Sequence, residues 1–181
     1  MESKTLNAIQ TISKVGKILS KVTFICCLVG GICCIVGMSC FAIPTSLKVG
    51  GVTIYSPIDG FGDYSPATCY TAMLMGLITC ASICVVARLA ERYFGNELAA
   101  GTPFTLEGAR ELLRLGICTI CIPLGATAIA QACYAFAIAH FAGISELHTE
   151  GGAPVVLGVA FIVASLICKY GAELKGAQAA S

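Results

Sequence analysis

Charge is the scarcest commodity in this chain. Only 12% of the 181 residues are charged, against 57% hydrophobic, and the mean hydropathy is +0.87. A soluble domain carries about 25% charged residues, so roughly half the usual solvating charge is missing. The charge that exists is clustered, leaving apolar runs near the roughly 20 residues that cross a bilayer. These absences exclude an ordinary soluble fold and point to a polytopic membrane protein. A basic excess is missing too (net charge +1), as are aromatic-basic interleaving and zinc-finger spacing. A nucleic-acid partner therefore has no footing.

Other absences bear on activity. No Asp, Glu, Lys, Arg or His lies in the inner part of any apolar run. Ionisable residues at membrane depth mark ion and proton coupling, so their lack argues against a secondary transporter. The chain has twelve cysteines, yet none falls in 44–66 or 143–154, where a membrane thiol oxidoreductase needs accessible reactive pairs. Inside apolar runs cysteine acts as a small, polarizable hydrophobe. Cys118-Thr-Ile-Cys121 has redox spacing but lies within such a run. Cys40 and Cys69, at similar depths, remain the candidate disulfide if their Cα atoms lie within about 7 Å. His140 with Glu146, His148 and Glu150 is too thin a set for a metal, and no cofactor is expected.

Residues 1–21 read as an amphipathic helix. Leu6, Ile9, Ile12, Val15, Leu19 and Val22 recur every three or four positions, which puts them on one stripe. Lys14, Lys17 and Lys21 share another face, suited to lipid headgroups at an interface. The alternative is a solvated extension of the first span. Four spans follow, at about 22–43, 67–87, 115–142 and 154–172. The first is too long for a secretory h-region, although Ser39-Cys40 imitates a lipoprotein cleavage site with Gly37 in place of a leucine-like residue. Small residues at four-residue steps (Cys26, Gly30, Cys34; Cys33, Gly37) let another helix approach closely.

Between the first two spans, Leu47–Val49 and Val52–Tyr55 flank Gly50-Gly51, a hairpin signal. A single hairpin is marginal in water, so it should rest on the helix ends. Pro57, Gly60, Gly62 and Pro66 mark irregular chain. In the charged loop 88–114, Gly95 and Asn96 are turn candidates. Thr105 is the favoured N-cap of the next helix, with Glu107 in its first turn; Thr102-Pro103 is a competing start. That helix should run on into the third span for roughly 55 Å, so its first turns project into water, and Pro123 should kink it. Gln131, on a stripe with Thr127, Ala135 and Ala139, is the candidate intramembrane polar group, suited to an interhelical hydrogen bond.

Orientation follows from the cations. Residues 1–21, 88–114 and 169–181 hold four, four and two Lys/Arg out of eleven, while the opposite side holds only Lys48. The positive-inside rule then makes both termini and 88–114 cytoplasmic. Glu107/Arg110 and Glu111/Arg114 are spaced for i,i+3 pairs worth a few tenths of a kcal/mol. The same projecting helix is the candidate docking surface for a cytoplasmic protein, through Arg88, Arg92, Thr105, Glu107, Arg110 and Arg114. Membrane lipids are the other expected partner, and self-association stays open.

The run Ala100-Gly101-Thr102-Pro103-Phe104-Thr105-Leu106-Glu107, with Arg110, Leu112, Leu113, Arg114 and Gly116 after it, resembles the Gly-x-Pro-Phe-Thr-x-Glu-Asn…Leu-Arg segment of a bacterial membrane family. That family is catalogued as domain of unknown function 2975 (DUF2975). Lys169-Tyr170-Gly171-Ala172-Glu173-Leu174 is similar to its closing segment, and the spacing of four spans fits. Gly108 stands where the family has asparagine. The resemblance implies a bacterial integral membrane protein without established activity, often encoded beside a small helix-turn-helix regulator.

The reading is thus an all-α, integral membrane four-helix bundle in one domain, 1–181. Both ends are inside, with an N-terminal amphipathic helix and a small extracytoplasmic β-hairpin. Its role is non-enzymatic binding or regulation at the bacterial cytoplasmic membrane; a small transporter or export component, then a thiol-redox protein, are the alternatives.

Overall fold

The computed structural model describes residues 2–41, 46–49, 52–55, 65–100, 105–141, 144 and 153–180, with side chains over 10–39, 65–99, 105–141, 144 and 155–174. In chain order the elements are α1 (Glu2–Phe41), β1 (Ser46–Val49), β2 (Val52–Tyr55), α2 (Pro66–Ala100), α3 (Leu106–His140) and α4 (Ala153–Ala180). The strands pair antiparallel, with Leu47 opposite Ile54 and Lys48 opposite Thr53. Everything else assigned is helical, and all four helices are long and apolar enough to cross a membrane.

Two expected breaks do not occur. Residues 2–21 are the first half of one 40-residue helix, so the separate amphipathic helix is corrected to an extension of the first span. Nothing between Lys14 and Val22 ends a helix, since neither a proline nor a capping turn intervenes. Likewise α2 runs through Gly95-Asn96 to Ala100, so the segment 88–114 is mostly helix rather than loop. Strong helix formers (Arg88, Leu89, Ala90, Glu91, Arg92, Glu97, Leu98) carry the helix across one glycine, whose cost is only about 1 kcal/mol. Pro123 lies inside α3, which stays continuous from Leu106 to His140.

The chain divides into two compact units. One comprises Met1–Cys26, Ser82–Leu124 and Gly151–Ser181; the other Cys27–Ala81 and Gly125–Glu150. In the first, Ala90, Tyr93, Leu112 and Leu115 form a buried cluster, with Phe94, Phe161, Ala164 and Cys168 packed around it. Here α3 and α4 meet backbone to backbone. A methyl placed on Gly116 would lie 3.1 Å from the Gly158 carbonyl oxygen, and one on Gly158 would lie 2.9 Å from that of Gly116. Ser165 locks the same crossing by donating from Oγ to the Ala109 carbonyl, 2.8 Å. On α1, Gly16 makes room for the Phe94 ring.

The second unit uses the same device. Gly30 lies against Cys80 Sγ, Gly76 against Cys34 Sγ, and Gly37 against the Met73 thioether. These are the small residues whose spacing foretold a close helix approach, and α2 is the helix that approaches. Ser65 caps α2, its Oγ accepting from the Thr68 amide at 3.2 Å, with Pro66 at the first helical position, where its missing N–H costs nothing.

Which side chains face in is the informative feature. Buried positions are largely small or hydroxylic: Ser13, Thr68, Thr71, Ser82, Ala87, Ala109, Thr119, Ala130 and Ser165. Large aliphatics face out, with Ile12, Ile18 and Val156 each more than 60% exposed. Some buried hydroxyls are satisfied within their own helices, as in Thr71 to Ala67 and Thr119 to Leu115, both 2.8 Å. Soluble proteins rarely expose contiguous apolar surface of this extent, whereas small interfaces and oily exteriors are what lipid solvation favours.

Candidate functional site

Charge concentrates where α2 and α3 pair, across 88–115. Thr105 caps α3 as expected: its Oγ1 accepts from the Gly108 amide at 3.0 Å, and its carbonyl takes the first helical bond, from Ala109. Leu112 and Leu115 of α3 are buried with Ala90 and Tyr93 of α2. That seam fixes the opposite faces, so Arg88, Arg92, Asn96, Glu107, Arg110 and Arg114 are all exposed.

Arg88 is the best tethered of them. Its Nη1 lies 3.1 Å from Glu91 Oε2, and its guanidinium sits 4.1 Å above the Phe24 ring. The i,i+3 pairs anticipated on α3 do not form. Instead Asn96 Nδ2 donates to both carboxylate oxygens of Glu111, at 3.2 Å each. Among the described residues, Arg92, Arg110 and Arg114 have no ion-pair partner. Arg92 and Arg114 open onto one cavity of about 210 Å³, lined by Leu89, Tyr93, Asn96, Glu111 and Leu115.

Ten residues beyond the charge-free stretch of α2, the half-buried Glu97 accepts hydrogen bonds from Ser13 and Tyr93. Burial pushes its carboxyl up from the ordinary range, while the two hydrogen bonds pull it back in part. Burial, then the nearby Glu97 charge, pushes the Tyr93 hydroxyl up as well. Glu97, Tyr93 and Ser13 escaped the sequence reading, and Asn96 entered it only as a turn candidate. The available signal was the spacing of Ser13, Gly16 and Ser20, which marks the packed face of α1.

Lys14, Lys17 and Lys21 are exposed, and Lys17 Nζ lies 3.8 Å from a methyl placed on Gly95. Gln131, expected to be buried, is exposed with Ala135 and Ala139 on its stripe. Within the second unit a cavity of about 730 Å³ lies between α2 and α3, lined by Tyr70, Leu74, Ile129, Phe136 and Phe141 among others. It is apolar and Gln131 does not line it, so it gives the transport alternative no polar path. His140 stacks on Phe136 and bonds its carbonyl; Glu146, His148 and Glu150 lie outside the described residues. Among those described, no cluster could hold a metal. Cys69, Cys118 and Cys121 are free thiols, and the Cys40 side chain lies outside the described set.

Four apolar helices with outward-facing aliphatics define the class: a multi-pass membrane protein. Comparisons with protein families, curated proteins and solved structures find no match for this chain.

Proposed function

We propose that this is a non-enzymatic binding or regulatory protein of a bacterial cytoplasmic membrane that uses the α2–α3 pair, 88–115, as its docking face toward the cytoplasm. Both termini lie on that side and the β1–β2 ribbon on the other. The observation that supports docking most is the state of its cations. Arg92, Arg110 and Arg114 are exposed, held on a packed helix pair, and have no ion-pair partner among the described residues. Long charged side chains left unpaired on a rigid support are available to a partner's carboxylates, and arginine is suited to bidentate capture of such groups. The membrane and the inside placement draw on the charge-free spans and on ten of eleven Lys/Arg sharing one side. The bacterial setting draws on the resemblance of 100–107 to the DUF2975 segment.

The test is affinity purification from mild detergent extracts with and without Arg110→Glu/Arg114→Glu. A soluble protein should co-purify with the parent and be lost from the double variant; an unchanged set of partners removes docking through this face. Reporter tags at Asn96 and Asp59 should report opposite compartments, and the same compartment for both sinks the topology.

A further inference from the structure

We infer that the cavity between Arg92 and Arg114 is a binding site for the phosphate of an anionic membrane lipid. The inference rests on the membrane reading above, and is independent of any soluble partner.

Three observations converge on it. The first is composition. Two guanidinium groups, one from each helix, open onto a space of about 210 Å³ whose remaining lining includes buried Tyr93 and Leu115. Its one carboxylate, Glu111, is already engaged through both oxygens by Asn96. With two guanidinium groups against that one carboxylate the lining is net positive, and its two cations have no ion partner among the described residues. Paired planar forks of this kind match phosphate oxygens.

Size is the second. Ligand pockets for drug-sized molecules run about 300–1,000 Å³, so this cavity suits a compact anion better than a nucleotide. Depth along the helices is the third, and it chooses the source of the phosphate. Arg88 is the first charge after the charge-free 67–87 stretch, and Arg114 the last before the charge-free 115–142 stretch. The cavity thus sits at the polar end of both apolar runs, where headgroups lie. Val85, Leu113 and Ile117 are exposed nearby on the same two helices and offer apolar surface to the acyl chains below a headgroup. Basic pockets between helices on the cytoplasmic side are a known mode of headgroup recognition.

The experiment is native mass spectrometry of the full chain released from micelles holding equal amounts of phosphatidylglycerol and phosphatidylcholine. The parent should carry more phosphatidylglycerol adducts. Arg92→Gln/Arg114→Gln should lower that preference about twenty-five-fold, at about fivefold for each arginine near an anionic surface. Both side chains are exposed, so folding is not at stake, and Arg92→Lys/Arg114→Lys should lose part of the preference by keeping charge without the fork. Lys169→Gln removes an exposed cation of α4 that does not line the cavity and should leave the preference intact. An equal fall in that control, or no preference in the parent, overturns the site. If inorganic phosphate alone displaces the lipid and protects the parent from unfolding as well as phosphatidylglycerol does, the site belongs to a free anion and the lipid assignment is overturned. A soluble partner lost with Arg110→Glu while the lipid preference survives would separate this site from the docking face.

Discussion

Substituting Gly158 by alanine sets two familiar effects against each other. In a helix interior, glycine to alanine gains about 1 kcal/mol from backbone entropy. At this position the new methyl would overlap Ile120 Cγ1 and stand 2.9 Å from the Gly116 carbonyl oxygen. The isoleucine can rotate, but the carbonyl belongs to α3 and can retreat only if the helices part. Parting them would stretch the 2.8 Å bond from Ser165 to the Ala109 carbonyl. Overpacking of this kind costs about 2 kcal/mol at the middle of its range, so the net expectation is a loss of about 1 kcal/mol. Gly125, on the same helix as Gly116, is the internal control: nothing lies within 4 Å of a methyl placed there. Gly125→Ala should therefore stabilise by about 0.5–1 kcal/mol. Reversible unfolding in mixed micelles, followed by far-ultraviolet circular dichroism, reads both. A Gly158→Ala protein as stable as the parent, or a Gly125→Ala protein destabilised to the same degree, would refute the close crossing.

Thr105→Ala should cost about 1 kcal/mol by leaving the Gly108 amide without its cap, and Thr105→Ser should restore most of it. The Glu97 carboxyl is raised by burial in the folded state, so its favourable contribution is complete below the unfolded value and is lost as pH rises through the folded one. Stability measured against pH should fall across that window in the parent, and Glu97→Gln should flatten the fall. Cys26, Cys33 and Cys121 are exposed on the chain, yet in intact membranes a water-soluble maleimide should leave them unlabelled while a lipid-soluble one reacts; equal labelling by both would remove the membrane reading.

Much of the helical layout was legible because each boundary has a local chemical cause. Thr105 caps α3, as the sequence reading expected. The steps among Cys26, Gly30, Cys34 and Gly37 foretold a close partner because only small side chains admit one. The errors share a different origin. The stripe Ile12, Val15, Leu19 and Val22 lies on one face and all four are exposed, as a face meant for acyl chains should be; what went unread is the packed face, where Ser13 is buried. Periodicity reports that two faces differ, and it does not say which one meets protein. Where the surroundings are oily, the apolar face points out and the small polar face packs. The same inversion left Gln131 outside and hid Gly116 and Gly158, which carry no hydrophobic signal. Asn96 bonding Glu111 was unreadable because it needs the register of α2 on α3, a tertiary fact.

The interior also limits where recognition can occur. Its hydroxyls bond carbonyls, a carboxylate or one another, and among the described residues no buried side-chain nitrogen or oxygen lacks a partner. A buried polar group without a partner costs about 1–3 kcal/mol and is where a ligand gains by supplying one. An interior with none in its described part offers a polar ligand no such gain. Unspent hydrogen-bonding capacity lies outside, on Arg92, Arg110 and Arg114, whose guanidinium groups (five N–H donors each) form no ion pair among the described residues. Those three cations share one packed helix pair at the end of two apolar stretches, so an anion that binds them is held by a surface already in place. Recognition at this face needs no reordering of its backbone, and the affinity lost to ordering a flexible loop does not arise.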